Sequence, residues 1–386
     1  MHLNKQQLKS LHKYQYAGVD NSLLSRHVLK PYWWSQLLKV IPMWMAPNLI
    51  TLTGLGFVTV NVITMLVYKY GYETDGYPGW VYASWAVGLF LYQSFDAIDG
   101  SQARRTNSSS PLGQLFDHGV DAINTSLEVW LTTELFQMSI PLTIFTQCAC
   151  LLYFYASTWE EYHTGVLYLS YFSGPVEGIL VVCVLFGITA YTGGVFWTKL
   201  HPTPESFGTI RSMIPYYTYG SCMFYLMSVG LFLNVFQSIQ NAARVLKEEK
   251  KSVCKGLLGL SPYLAQWAAV FLLYAKYPNL FEEQFVTVYL LNAMILAYSV
   301  GIIIVSHVTE SSFPHWNVLI LPYMVNALDA YTFGILEGYQ KEYIFAYIGF
   351  TLGIYGNFVA HVISSITEEY GIHCLRLSPK PEEKKN

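Results

Sequence analysis

Long apolar segments alternate with short polar ones along most of the chain after residue 46. A helix needs about 20 mostly apolar residues to cross a bilayer, because the hydrocarbon core is about 30 Å thick and each helical residue rises about 1.5 Å. The apolar positions are continuous or helically spaced rather than alternating, which favours helices over a transmembrane β-barrel. The pattern predicts ten spans, at residues 47–68, 80–103, 111–136, 140–159, 176–196, 216–240, 257–274, 285–307, 315–336 and 343–366.

The composition supports this interpretation. Hydrophobic residues make up 53% of the 386 positions and charged residues only 12%, whereas an ordinary soluble domain carries roughly a quarter charged residues. We therefore predict an all-α, polytopic integral membrane protein with about ten transmembrane helices.

The sequence outside the spans predicts a simple organisation. No cleavable signal peptide is expected, because basic residues are scattered through the first 46 positions before any long apolar run. The segment "HVLKPYWWSQLLKVIPMWM", with its tryptophans and lysines, is typical of an amphipathic helix at a membrane interface. We expect a cytosolic interfacial segment at 1–46, a transmembrane domain at 47–366 and a cytosolic tail at 367–386.

The basic residues predict the orientation. An even number of spans places both termini on one side of the membrane. Seventeen of the 22 Lys and Arg residues lie on that side, in the amino-terminal segment, the even-numbered loops and the tail. By the positive-inside rule this side is the cytosol.

Four aspartates lie within the second and third predicted spans, in "DAIDGSQARRTNSSSPLGQLFDHGVD". A charge near the centre of a bilayer costs about 2.5 to 3.5 kcal/mol on insertion scales, so an intramembrane aspartate suggests function. Asp96 and Asp99 are three residues apart, and Asp117 and Asp121 four apart, so each pair shares one helix face. Two helices joined by a short loop pack antiparallel, which predicts one four-carboxylate cluster near the cytosolic surface.

Such a cluster must bind protons or cations, and its oxygen donors suit hard ions such as Mg²⁺, Mn²⁺ or Ca²⁺. Two divalent ions would balance four carboxylates and could clamp a phosphoryl group. The alternative is structural: the carboxylates cap helix ends or pair with Arg104 and Arg105. Both arginines could also offer guanidinium forks to a diphosphate, and Gly100 and Gly113 would let a bulky ligand approach the backbone.

The residues of this segment follow a set spacing: Asp96-x2-Asp99-Gly100-x2-Ala103-Arg104-x8-Gly113-x3-Asp117-x3-Asp121. It resembles the signature of the CDP-alcohol phosphatidyltransferases. Further segments, among them "LSRHVLKPYW", "WMAPNLITLTG" and "STWEEYHT", are similar to the eukaryotic branch of that family, the choline and ethanolamine phosphotransferases. The resemblance covers nearly the whole chain and shows no departure at the four aspartates, the two glycines or Arg104.

The resemblance implies an enzyme that transfers phosphocholine or phosphoethanolamine from the CDP-alcohol to diacylglycerol and releases CMP. It implies a catalytic domain at 47–366, with the phosphotransferase core at about 47–240. The four aspartates would hold two Mg²⁺ or Mn²⁺ ions. By the same resemblance, the nucleotide would be bordered by Gly100, Ala103, Arg104, Gly113 and, in "PNLIT", Asn48.

Two residues are candidates for the base that takes the proton from the lipid hydroxyl. Much of the family assigns the role to the fourth aspartate, here Asp121. The eukaryotic branch has a histidine after the third aspartate, here His118, and an imidazole with an unperturbed pKa near 6.5 suits general-base work at neutral pH. We prefer His118, whose alternative role is to support Asp117. Glu128 is expected either to orient the acceptor or to be a buried support, and the segment around Glu161 to be a solvated loop.

The expected partners are CDP-choline or CDP-ethanolamine, diacylglycerol and membrane lipid, with no nucleic acid, and relatives suggest a homodimer. The resemblance places the enzyme in the endoplasmic reticulum or Golgi membrane. Sequence leaves open the head group, the acyl chains and the metal. Two rival functions are an intramembrane Mg²⁺-dependent prenyltransferase, whose paired motifs usually lie far apart, and a cation transporter, which would spread acidic residues along several spans.

Overall fold

A computed structural model describes residues 3–14, 16–20, 22–72, 76–169, 175–207 and 216–378. The last eight residues of the predicted tail lie outside the described residues. Fifteen α-helices are numbered here in chain order: α1 Lys5–Leu11, α2 Ser35–Val40, α3 Pro47–Gly71, α4 Gly79–Thr106, α5 Pro111–Leu135, α6 Ile140–Thr164, α7 Pro175–Thr192, α8 Val195–Thr198, α9 Tyr219–Glu248, α10 Val253–Leu257, α11 Ser261–Lys276, α12 Pro278–Glu283, α13 Phe285–Val308, α14 Leu321–Tyr331 and α15 Gln340–Tyr370.

In the described part of the chain, sheet structure is confined to two small pairs. Four strands are described: β1 Gly18–Asp20, β2 Leu167–Leu169, β3 His201–Pro202 and β4 Tyr216–Tyr217. β1 pairs with β2 in parallel and β3 with β4 antiparallel. The β1–β2 pair therefore fixes the amino-terminal segment against the chain that follows α6.

Each of the ten segments predicted to span the membrane contains a helix. Seven are long and apolar enough to cross a bilayer: α3, α6, α7, α9, α13, α15 and the continuous stretch Val253–Lys276. Two others, α4 and α5, are equally long but carry the acidic and basic residues of the quoted segment. The tenth, Val318–Tyr331, is shorter than the about 20 residues that a span needs. The prediction of an all-α polytopic membrane protein is confirmed.

Helix α13 lies at the centre of the bundle. Most of its side chains are buried, and α5, α6 and α15 pack against it. On one side of this group α4 packs between α3 and α7, and on another α9 packs against α6. Trp85, Trp130 and Trp159 are fully buried on α4, α5 and α6. The packing of these large side chains fixes which face of each helix points into the bundle.

The outward faces remain apolar. On α3 the side chains of Val60, Ile63 and Val67 are exposed, and on α9 those of Leu226 and Phe232 are exposed as well. A soluble monomer rarely presents apolar surface on this scale, so these faces fit contact with lipid tails.

The amino-terminal segment has the predicted helical character. A π-helical stretch, Ser25–Trp34, contains Pro31 and runs directly into α2. Tyr32, Val40 and Trp44 are exposed, as expected of an interfacial helix, while the indole of Trp33 donates to Ser94 Oγ on α4 at 2.8 Å. Contact of this segment with a membrane surface stays a prediction.

Candidate active site and metal centre

The α4–α5 hairpin brings the two aspartate pairs together. Asn107 ends α4 in the left-handed region at φ 54°, and the Ser108 amide donates to Ala103 O at 2.9 Å. The chain then turns within four residues, and Pro111 occupies the first turn of α5, where its missing N–H costs no helical hydrogen bond. The pairs on the two helices are therefore held at the same end of the hairpin, as predicted.

Three of the four aspartates form a compact group. One carboxylate oxygen from each of Asp96, Asp99 and Asp117 lies within 4.8 Å of the other two. Asp121 adjoins this group: its carboxyl group is within hydrogen-bonding reach of Asp96 and accepts a hydrogen bond from the Tyr92 hydroxyl. The structure thus places all four predicted residues in one acidic cluster.

The donor set of this cluster fits hard divalent cations. Asp96 Oδ1 and Asp117 Oδ1 are buried and have no hydrogen-bond partner among the described residues, although buried polar atoms are normally satisfied. The second oxygen of Asp99 accepts from Thr51 Oγ1 at 2.5 Å, which orients that carboxylate. Oxygen-only ligands with free lone pairs suit Mg²⁺ or Mn²⁺.

The structural alternative is not observed. Within the described ranges, no lysine or arginine forms an ion pair with the four aspartates. The residues that cap the amino ends of α4 and α5 are Pro78 and Ser110. The carboxylates are therefore neither helix caps nor members of a salt-bridge network.

The acidic cluster lines a cavity of about 1820 Å³. Lining residues on α5 run from Pro111 to Thr133, a length of about 33 Å at the helical rise. One end is polar and holds Arg104 and Ser108–Ser110, whereas α9 contributes the apolar side chains of Phe224, Met227 and Leu231. The volume exceeds the roughly 300–1,000 Å³ of a typical small-molecule pocket, so it can hold a polar and an apolar substrate together.

All four residues predicted by resemblance to border a nucleotide on α4 and α5 line this cavity: Gly100, Ala103, Arg104 and Gly113. A Cβ added to Gly100 would meet only Arg104 Nη1, at 3.7 Å, and one added to Gly113 only Asn48 Oδ1, at 4.0 Å. Internal packing therefore does not require glycine at either position. The open backbone fits the close approach of a ligand.

The two arginines of this segment have different surroundings. Arg104 lines the cavity, and its Nη2 donates to Ser101 Oγ at 3.0 Å. Arg105 instead donates to the carbonyl oxygens of Leu38 and Ile41, the latter at 3.1 Å. The structure therefore does not support the expectation that Arg105 offers a fork to a diphosphate: one residue along a helix is a rotation of about 100°, which turns Arg105 to the amino-terminal segment.

The candidate base lies beside an unexpected carboxylate. His118 is buried and lines the cavity, and its Nδ1 is 4.0 Å from Glu161 Oε2. Glu161 and its neighbour Glu160 are only 2% exposed in the last turns of α6. The expectation of a solvated loop around Glu160, Glu161 and His163 is wrong, because α6 extends to Thr164 and buries this end against α5 and α9.

A chain of hydrogen bonds fixes Glu161. The Gln114 amide donates to Glu161 Oε1 at 2.7 Å, and the Tyr14 hydroxyl donates to Gln114 Oε1. Burial raises the pKa of Tyr14, and the charge of Glu161 adds to the shift, so the hydroxyl stays a neutral donor. Sequence reasoning missed Tyr14 and Gln114; a glutamine three residues before the third aspartate was the available signal.

Two further polar contacts complete the cavity wall. Asn124 Nδ2 donates to Glu128 Oε1 at 2.5 Å, and both residues line the cavity. Asn48, at the start of α3, donates from Nδ2 to the carbonyl oxygen of Cys374 at 3.0 Å. The chain after α15, which sequence reasoning treated only as a tail, thus reaches the same site.

The profile of the family described as CDP-alcohol phosphatidyltransferase matches residues 44–236. This range spans α3 to α9 up to Phe236 and contains the whole acidic cluster. The chain belongs to the CDP-alcohol phosphatidyltransferase family. It is therefore a membrane-embedded CDP-alcohol phosphotransferase of phospholipid synthesis.

Similar proteins extend the family resemblance beyond the matched range. The chain is 67% identical over 386 residues, the full length of both, to an uncharacterized CDP-alcohol phosphatidyltransferase class-I family protein of Schizosaccharomyces pombe. It is 36% identical to choline/ethanolaminephosphotransferase 1 of Saccharomyces cerevisiae over 96% of each chain. It is 35% identical to cholinephosphotransferase 1 of the same yeast over 97% of this chain and 98% of the relative. This family member therefore resembles the eukaryotic choline and ethanolamine enzymes along nearly its whole length.

Proposed function

We propose that this protein transfers phosphocholine, phosphoethanolamine or both from the CDP-alcohol to the free hydroxyl of diacylglycerol, forming the phospholipid and CMP. The observation that carries the proposal is a single cavity that joins the acidic cluster and Arg104 to the apolar side chains of α9. Such a cavity suits a reaction between a water-soluble diphosphate and a lipid. The names of the two yeast relatives support the choice of substrates.

Asp96, Asp99, Asp117 and Asp121 are proposed to hold two Mg²⁺ or Mn²⁺ ions. Ions bound there would hold the diphosphate and stabilise the charge that develops as the phosphoryl group is transferred. Thr51 donates a hydrogen bond to one oxygen of Asp99. The other oxygen of this carboxylate is therefore the one available to an ion. The unpartnered oxygens of Asp96 and Asp117 would be free to ligate these ions.

The nucleotide end of the donor is proposed to lie at the polar end of the cavity, bordered by Asn48, Gly100, Ala103, Arg104 and Gly113. Arg104 supplies a guanidinium to a phosphate oxygen, since charge-assisted pairs of this kind are strong and directional. The two glycines leave room for the ligand along the backbone of both helices.

His118 is proposed as the base that takes the proton from the acceptor hydroxyl. Glu161, 4.0 Å from Nδ1, stabilises the imidazolium that forms and orients the ring. Asp121 is the alternative base, but its carboxylate already accepts from the Tyr92 hydroxyl and adjoins Asp96, which suits a metal ligand better. Glu128, deeper on the same wall, is placed to orient the acceptor.

We place diacylglycerol in the apolar part of the cavity, formed by α5, α6, α7 and α9. Its acyl chains would enter sideways from the bilayer, because they are too apolar to arrive through water.

The organisation proposed from sequence extends this picture. Residues 1–46 form a cytosolic interfacial segment, 47–366 the catalytic domain with its core at about 47–240, and 367–386 a cytosolic tail. The active site faces the cytosol of the endoplasmic reticulum or Golgi membrane. Assembly as a homodimer is part of the proposal through the resemblance to relatives, and light scattering of the purified protein with its bound detergent accounted for would test it.

The decisive experiment measures transfer from radiolabelled CDP-choline and CDP-ethanolamine to diacylglycerol by purified protein, with and without Mg²⁺ or Mn²⁺. Metal-dependent formation of labelled lipid supports the proposal, and the ratio of the two rates gives the head-group preference. Absence of transfer from both donors, with a folded protein, metal and lipid present, would reject it. Labelled prenyl diphosphate in a parallel reaction then tests the rival prenyltransferase.

A further inference from the structure

The chain after α15 turns back toward the active site. Helix α15 ends at Tyr370, and Gly371 adopts the left-handed region at φ 60°, a conformation that glycine enters without steric cost. The Ile372 amide then donates to Thr367 O at 3.1 Å, which closes the helix end and redirects the chain. We name residues 371–378 the carboxyl-terminal strap.

Contacts hold the strap at its middle and hold the helix end from which it starts. Asn48 Nδ2 donates to the Cys374 carbonyl at 3.0 Å and lies 3.8 Å from its sulfur, and Asn48 itself is only 8% exposed. At the end of α15, His12 Nε2 is 2.9 Å from Glu369 Oε1, and its ring stacks on Tyr370 with 4.7 Å between centroids. The strap is therefore held in place over the first turn of α3.

The strap forms part of the cavity wall. His373, Cys374, Arg376, Leu377 and Ser378 line the same cavity as the acidic cluster and Arg104. His373 and Arg376 are exposed, so their side chains lie at the open, polar end rather than among the acyl-chain contacts. The sequence of the strap, "GIHCLRLS", contains no acidic residue.

The positive charge on this wall suits an anionic ligand. The donor diphosphate is anionic, and Arg105 is diverted to the Leu38 and Ile41 carbonyls. Arg104 and Arg376 are the two arginines among the described residues that line the cavity. A guanidinium cannot lose its proton in this pH range and forms directional pairs with phosphate oxygens.

We propose that the carboxyl-terminal strap is the outer wall of the CDP-alcohol site and that Arg376 binds the nucleotide diphosphate there. This inference rests on the proposed function. It assigns a binding residue outside the range matched by the family profile, which ends at residue 236. The strap contacts the water-soluble donor and leaves the lipid acceptor untouched.

A kinetic experiment tests Arg376. Arg376→Ala should raise KM for CDP-choline by about tenfold or more, the usual loss for a hydrogen bond to a charged group, with KM for diacylglycerol unchanged. Arg376→Lys should recover part of the loss. A chain shortened to end at Ser378 is the matched control: it removes three lysines but leaves the strap, and its KM should equal that of the parent protein.

Labelling of Cys374 provides a test that does not depend on turnover. Cys374 is half-buried, and burial raises the pKa of its thiol, so a maleimide should react with it slowly at neutral pH and faster at mildly alkaline pH. CDP-choline with Mg²⁺ and no diacylglycerol should slow this reaction by about elevenfold at ten times Kd. Cys254, exposed on the short helix α10, should react at the same rate throughout and serves as the internal control.

The outcomes separate the two proposals. Normal transfer by the parent enzyme, with unchanged KM in Arg376→Ala and no protection of Cys374, overturns the role of the strap alone. Failure of the parent protein to transfer from either CDP-alcohol overturns the proposed function. If KM for CDP-choline rises as much in the shortened control as in Arg376→Ala, the effect comes from general attraction by basic residues. The proposed specific contact of Arg376 is then rejected.

Discussion

Glu161→Gln tests whether a carboxylate beside His118 assists catalysis. The change removes one negative charge and keeps the shape of the side chain. An amide oxygen at the Oε1 position can still accept from Gln114, which now donates there at 2.7 Å. The variant should therefore fold normally, and its thermal unfolding should match that of the parent protein.

The expected loss follows from the 4.0 Å between His118 Nδ1 and Glu161 Oε2. An imidazolium and a carboxylate at that distance attract by about 1 kcal/mol at the dielectric constant of water and about 4 kcal/mol at an effective value of about 20. This attraction exists only after His118 has taken the proton, so it acts on the transition state. We expect kcat to fall by roughly fivefold to a thousandfold with little change in either KM.

The assay is initial-rate transfer of radiolabel to diacylglycerol with both substrates saturating. Glu160→Gln is the matched control: Glu160 is equally buried, but its Oε1 accepts from Asn241 Nδ2 on α9 at 2.8 Å, away from His118. Its kcat should stay within about twofold of the parent value. A kcat for Glu161→Gln within the same range would refute the proposed His118–Glu161 pair and return the role of base to Asp121.

Three further predictions concern the neighbouring residues. Asp117→Asn should lower transfer by about a thousandfold or more, because an amide replaces a carboxylate ligand. The radiolabel assay measures this loss, and a loss of less than tenfold contradicts the metal assignment. Thr51→Val removes the hydrogen bond that orients Asp99. The Mg²⁺ concentration for half-maximal rate should therefore rise by about tenfold. An unchanged Mg²⁺ titration contradicts the role of Thr51. Arg105→Ala should lower the melting temperature by a few degrees through the lost contact with Ile41 and leave KM for CDP-choline unchanged; a raised KM would show that Arg105 does reach the donor.

Much of the fold could be predicted because membrane insertion leaves a strong local signal. An unbroken apolar segment has few structural options in lipid other than a helix, since its backbone groups must bond to one another. The ends of the helices were harder to predict. Helix α6 continues to Thr164, past the predicted end at residue 159, because its last turns are buried by protein and so can carry Glu160 and Glu161 without facing lipid.

The acidic cluster was also predictable from local spacing. Residues three or four apart share a helix face, and a four-residue connection forces two helices to be antiparallel. These two rules are enough to bring Asp96, Asp99, Asp117 and Asp121 together, and Asp96, Asp99 and Asp117 alone form the compact group. The roles of the residues remain proposals, but their proximity is a consequence of periodicity.

The helical class, the positions of the acidic pairs and, through their spacing, the family all follow from the order of residues along the chain. The neighbours of each polar group depend instead on how the chain folds: Arg104 rather than Arg105 lines the cavity, Glu161 lies beside His118, and Asn48 donates to a carbonyl 326 residues away. Spacing along one helix fixes relative positions on that helix alone. The rotation and packing of separate helices depend on side-chain fit across the whole bundle, which no local pattern contains.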